Sequence, residues 1–143
     1  MHYVCKQGVR VSFQKFCQNL EQKIQQSYQQ GTTLEEAEKL AAEFLSAQLR
    51  VSAELKAADL DARLRKAGVK AIKGAIYLDI VQKSEKKPTE AQISAMIDTD
   101  KIAGDEQRNL DQAEVDRDEL ERYYNIFREA HVFYRGVSRG KFE

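Results

Sequence analysis

Tryptophan is absent from this chain, proline occurs once and cysteine twice. Each scarcity excludes something. A 143-residue sequence with no tryptophan, 32% charged residues and abundant alanine and glutamine is poorly suited to a wide spherical core. It suits long helices with narrow apolar stripes, and such a chain often completes its core by associating with copies of itself. Two cysteines, Cys5 and Cys17, are too few for a disulfide framework, and no other Cys or His joins them at metal-ligand spacing. They read as thiols of a reducing compartment. The opening residues carry Lys6 and Arg10 and lack the apolar run of about 7–15 residues that a signal peptide needs, and no stretch approaches the roughly 18 apolar residues of a membrane span. The expectation is a soluble, cytoplasmic protein without a membrane partner.

Catalytic signatures are missing as well. There is no Gly-rich phosphate loop, no G-x-S-x-G and no H-E-x-x-H. His131 lies in the middle of an apolar face with no Cys or Ser motif beside it, which suits a packed histidine better than a catalytic base. The segment from Asp98 to Glu106 invites a calcium-loop reading, but an EF-hand needs glycine at its sixth position and glutamate at its twelfth, where this chain has Ala103 and Asn109. The sequence therefore predicts no enzyme, no cofactor and no metal.

What the chain does have is segregated charge. Its formal net charge is zero, yet Arg63 to Lys87 contains eight cations (Arg63, Arg65, Lys66, Lys70, Lys73, Lys83, Lys86, Lys87) against Asp79 and Glu85. Asp98 to Glu121 contains ten carboxylates against Lys101, Arg108 and Arg117. A basic stripe offers a footprint for polyanions, whereas an acidic stretch suits a basic protein surface. This layout points to binding rather than catalysis.

Apolar periodicity places both blocks on helices. Residues 1–11 carry Tyr3, Val4, Val9 and Val11 around Gln7-Gly8, a pattern that fits a short strand or an extended arm. Ser12 is a plausible N-cap for a helix over 12–30, whose face is drawn by Phe13, Phe16, Cys17, Leu20, Ile24 and Tyr28 and which Gly31 ends. Thr33 and Glu36 form a capping box that opens a helix over 34–84. Its stripe runs through Leu34, Ala37, Ala41, Phe44, Leu45, Gln48, Val51 and Leu55 towards Leu64, with Gly68 and Gly74 as soft points. After the lone Pro88, Thr89 and Gln92 form a second capping box for a helix over 90–99 carrying Ile93, Met96 and Ile97. A last helix over 105–135 is acidic first, with only Leu110, Ala113 and Val115 to bury. It is then amphipathic through Leu120, Tyr123, Tyr124, Phe127, Ala130, His131 and Tyr134. Residues 136–143 form a basic, glycine-punctuated tail. The predicted architecture is a single all-α domain over 1–143, a bundle or hairpin of long antiparallel helices completed by oligomerisation through the face of Tyr123, Tyr124, Phe127, His131 and Tyr134.

Arg63, Lys66, Lys70 and Lys73 fall at i, i+3, i+7 and i+10, so one helical face presents four cations about 5–6 Å apart, near the spacing of successive phosphates. Tyr77 continues the row and could stack on a base. Arg65, Lys83, Lys86 and Lys87 enlarge the patch, and Arg135, Arg139 and Lys141 add charge in the tail. The competing reading is a solvated face, salt-bridged to the acidic block, with Tyr77 in the core. Asp116, Asp118 and Glu119 are the candidate contacts to a protein partner.

From Asp61 onward the order of features resembles the UvsY-type recombination mediator proteins of T-even-like bacteriophages. The likeness is carried by the basic-helix segment Ala62-Arg63-Leu64 and by the helix start Thr89-Glu90 running into the acidic segment from Asp98 to Lys101. It continues in the aromatic helix from Tyr123-Tyr124 through Phe133 and in the tail Val137-Ser138-Arg139-Gly140-Lys141-Phe142. It covers about the last 80 residues and leaves the N-terminal third unmatched. The resemblance implies a non-enzymatic protein of the host cytoplasm that binds single-stranded DNA, assembles into a ring-like homo-oligomer and loads a RecA-like recombinase while a single-strand binding protein is displaced. It places DNA-contacting positions on Arg63, Arg65 and Lys66. The alternative class is a small phage-type inhibitor or assembly factor whose acidic helix binds a host protein by mimicking nucleic acid.

Overall fold

The computed structural model describes residues 2–140, with side chains from Ser12 onward. All secondary structure among them is helical: α1 (His2–Gln30), α2 (Leu34–Lys83), α3 (Glu90–Asp98) and α4 (Lys101–Ser138). The all-α class with long antiparallel helices is thus the observed one. Both capping boxes form. Glu36 N–H donates to Thr33 Oγ1 at 3.2 Å while Thr33 N–H reaches Glu36 Oε2 at 3.4 Å, and Thr89 and Gln92 repeat the arrangement at 3.2 and 3.0 Å. Gly31 stops α1 with φ at +76°, a conformation that costs a residue with a Cβ, while its N–H closes on the Ser27 carbonyl at 3.0 Å.

Three boundaries differ from the sequence expectation. Residues 2–11 continue α1 and form neither strand nor arm. Valine costs a helix only about half a kcal/mol per residue, each added helical residue closes another hydrogen bond, and a strand would need a partner strand, of which the described residues contain none. The acidic helix begins at Lys101 rather than 105, because Asp100 acts as its N-cap and accepts from Ala103 N–H at 2.9 Å. Gly104 lies inside α4. The same helix runs on through Gly136 to Ser138, so the segment from residue 136 expected as a tail is still helical there. Lys141 and Phe142, like the Cys5 side chain, lie outside the described residues.

The chain forms two compact units, one from the N-terminus to Ser52 plus the segment from Arg122 onward, the other from Ala53 to Glu121. In the first, α1 runs antiparallel to the start of α2. The Arg50 guanidinium lies over the Phe13 and Phe16 rings, 5.4 and 4.3 Å from their centroids, and Lys23 pairs with Glu43. The end of α4 completes the unit. Phe44 stacks on Tyr134 with centroids 5.7 Å apart and contacts Phe127 at the same separation; Phe44 and Phe127 are 0% exposed and Tyr134 1%. Ala37, Ala41, Ala47 and Val51 are the other buried α2 residues of this unit, and their small size lets the α4 rings approach. Gln48 Nε2 donates to the Tyr124 hydroxyl at 3.3 Å, and His131 Nδ1 lies 2.8 Å from the Ala41 carbonyl. A carbonyl only accepts, so Nδ1 carries the proton.

These contacts correct the choice of face expected for oligomerisation. Tyr123, Phe127 and Tyr134 are buried within the single chain, and Tyr124 and His131 are half-buried with partners in α2, so the aromatic stripe is core and not a free subunit face. Some stripe members read from the sequence are also misplaced: Tyr28, Leu34, Leu45 and Leu64 are exposed. Leu64 lies nine residues beyond Leu55, a rotation of about 900° at 3.6 residues per turn, which is half a turn out of phase.

The second unit has a thinner core, in which Ala62, Val69, Ile93, Ala103, Leu110 and Ala113 are buried. The capping box of α3 delivers Ile93, its one large side chain at 1% exposure. Truncating the aromatic cluster should therefore be costly: Phe127→Ala is expected to lose about 3–5 kcal/mol of unfolding free energy in urea titration. Thr89→Ala, which removes one cap, should lose about 1 kcal/mol in the same assay.

Candidate nucleic-acid interface

The basic residues from Arg63 to Lys83 of α2 belong to the second unit, whose sequence begins at Ala53. Taking Arg63 as the origin and about 100° per residue, Lys70, Lys66 and Lys73 follow at roughly −20°, −60° and −80°, with Tyr77 among them at −40°. The packed residues Ala62 and Val69 are centred near −110°. The row therefore borders the core face, and its members differ in freedom accordingly.

Arg63, Lys66 and Lys70 are exposed. Lys73 is half-buried and donates from Nζ to Gln107 Oε1 of α4 at 3.1 Å. Tyr77 is half-buried as well, with its hydroxyl 3.4 Å from Glu90 Oε1 at the start of α3. Arg65, at about 200°, points away from the row and joins Asp61. Lys83 pairs with Asp79 near the end of α2, and Lys86 and Lys87 stand exposed in the connection to α3.

The ion pairs of this face are local. Arg63 bonds Asp59 at 3.1 Å, Arg65 bonds Asp61 at 3.1 Å and Lys83 bonds Asp79 at 3.1 Å, all within one helix at i,i+4. Among the described residues no cation from Arg63 to Lys87 forms an ion pair with a carboxylate of the acidic block. Within that block Arg108 pairs with Asp105, Arg117 with Asp118 at 3.2 Å, and Gln112 donates to Asp116 at 3.0 Å. Where α2 meets α4, a neutral amide stands between the two signs. Gln107 accepts from Lys73 and donates to Asp111 at 3.0 Å.

Exposed i,i+4 pairs are worth only about 0.3–0.5 kcal/mol, so Arg63 and Arg65 are held loosely enough to exchange a carboxylate for a phosphate. Lys66 and Lys70 have no ion-pair partner to give up among the described residues. On the other helix Asp116 and Glu119 are half-buried and Asp118 is exposed. The Asp59, Asp61 and Asp79 partners were readable from their spacing, four residues before each cation. Gln107 was not, since a glutamine inside an acidic run carries no signal until the two helices are laid together. Among the described residues no group of three or more His, Cys, Asp or Glu side chains gathers at metal-binding distance, and no helix is long and apolar enough to cross a membrane.

No protein-family model, no curated protein and no solved structure matches this chain.

Because the pairs on the basic face are weak, Asp59→Asn is expected to change unfolding free energy by less than about 0.5 kcal/mol in urea titration.

Proposed function

We propose that this chain is a single-stranded DNA-binding recombination mediator, a non-enzymatic protein that assists loading of a RecA-like recombinase while a single-strand binding protein is displaced. One observation carries the DNA-binding part: Arg63, Lys66, Lys70 and Lys73 share one face of α2, and none of them is neutralised by the acidic helix packed beside it. A row of cations that ignores an available acidic neighbour is suited to an external polyanion, and a single strand follows such a row through its phosphates. Tyr77 lies in the same row. The mediator part rests on the resemblance of residues from Asp61 onward to the UvsY-type proteins. The acidic face with Asp116, Asp118 and Glu119 would dock basic surfaces of the recombinase or of the single-strand binding protein.

Gel-shift titration with labelled oligo-dT tests the reading. Affinity should fall with log salt at a slope of about −0.7 per phosphate neutralised, and the Arg63→Ala/Lys66→Ala double variant should flatten that slope by about 1 to 1.5. Failure of the wild-type protein to retard oligo-dT at low salt would remove the mediator reading.

Charge reversal on the acidic helix separates this reading from nucleic-acid mimicry. With Asp116, Asp118 and Glu119 all changed to lysine, a mediator still binds oligo-dT, at equal or higher affinity, while its stimulation of recombinase filament assembly declines. A mimic instead loses its protein target in the same variant.

A further inference from the structure

The side of α2 turned away from the core carries an order of its own. Stepping from Ala53 alternately by four and three residues lands on alanine, leucine, glycine or valine all the way to Val81, and never on a polar side chain. This is the a/d spacing of a coiled coil sustained for about four heptads. Nothing among the described residues covers it. Leu60, Leu64 and Leu78 are 59%, 64% and 58% exposed, and every other member is exposed except Val81, which is half-buried.

The glycines add an independent observation. Gly74 is on the stripe and Gly68 on its edge, each in a helix interior, where glycine costs about 1 kcal/mol relative to alanine. A Cβ built at either position meets no atom within 4 Å. Neither glycine is therefore required by packing against the described residues. Both are suited to the close approach of an outside helix.

Flanking charge selects the occupant. With Ala53 and Leu60 at d positions, the e positions include Glu54 and Asp61, and the g positions are Lys56, Arg63, Lys70 and Tyr77. One flank is acidic and the other basic. In a parallel pair of identical helices g faces e′, so Lys56 meets Asp61 of the other copy; in an antiparallel pair g faces g′, which would set lysine and arginine against each other.

We propose that two copies of this chain associate in parallel and in register through this face of α2, from Ala53 to Val81. The contact is distinct from the aromatic face that the sequence suggested for oligomerisation. It does not depend on DNA binding, so its test is made without DNA.

Light scattering during size-exclusion chromatography at about 1–100 µM should give a dimer or a higher even-numbered assembly. Leu60→Glu/Leu64→Glu should raise the dissociation constant by at least about a hundredfold, because both residues are central to the stripe and each charge would face its own copy. Both positions are exposed in the single chain, so the far-ultraviolet circular dichroism of the variant should be unchanged. In a Cys5→Ser background, Ala57→Cys should form an intermolecular disulfide on mild oxidation, because the two copies of an a position come within bridging distance only in a parallel register. A wild type that stays monomeric throughout the range overturns the proposal, as does a folded double variant that stays associated. Absence of the Ala57→Cys cross-link in an associated protein overturns the parallel arrangement.

Discussion

The stacking of Phe44 on Tyr134, with Phe127 against the same ring, is the contact on which the reading of this molecule turns. The chain has no tryptophan, and the largest of its fully buried side chains are these three rings. Placing Phe44 among alanines on α2 leaves room for the α4 rings, fixes which residues of the two helices meet and brings Ala41 to His131 and Gln48 to Tyr124. It also consumes the aromatic stripe. A surface that in the sequence resembles an exposed subunit face is the inside of one chain, and any contact between copies has to be built from other residues.

The second unit works with less. Its core is three alanines, one valine, one isoleucine and one leucine, and its helices bear the basic and acidic blocks. Two helices of opposite sign packed side by side might be supposed to neutralise each other. Here they do not: Arg63 and Arg65 on α2, and Arg108 and Arg117 on α4, each pair with a carboxylate one to four residues away on the same helix, where the two side chains are already neighbours. Gln107 links the helices without cancelling charge. On the proposed reading this preserves two addresses on one small unit, one for phosphates and one for basic protein surfaces. Weak local pairs keep the cations soluble yet available.

The helix α2 then carries three faces in its second half: a packed face through Ala62 and Val69, a basic face beginning at Arg63, and an apolar face through Leu60 and Leu64. A helix can present three because 3.6 residues per turn spreads consecutive positions by about 100°. Arg63 and Lys70 stand between the basic and apolar faces, so a strand bound to one and a copy bound to the other would share a boundary of cations.

Helix existence, both capping boxes, the stop at Gly31 and the separation of charge were legible in the sequence, because each is set by neighbours within about four positions. Thr33 and Glu36 need only each other, and Arg63 needs only Asp59. Periodicity went astray wherever the answer depended on phase over many turns. Leu64 was assigned to the stripe of Phe44, although nine residues from Leu55 put it on the far side, where it joins Leu60 and Leu78. The strand-like valines before Ser12 yielded to the helix that follows them, since a lone strand has nothing to bond with. By itself, then, the sequence determined an all-helical chain with one basic and one acidic block. Only the tertiary structure decided that Tyr123 and Tyr134 of α4 are core, that Lys73 is tied to Gln107 while Lys66 stands clear, and that the face of Leu60 and Leu64 is exposed among the described residues. Those outcomes depend on which residues of separate helices meet, and that is set by side-chain packing between segments far apart in the chain, which no local spacing encodes.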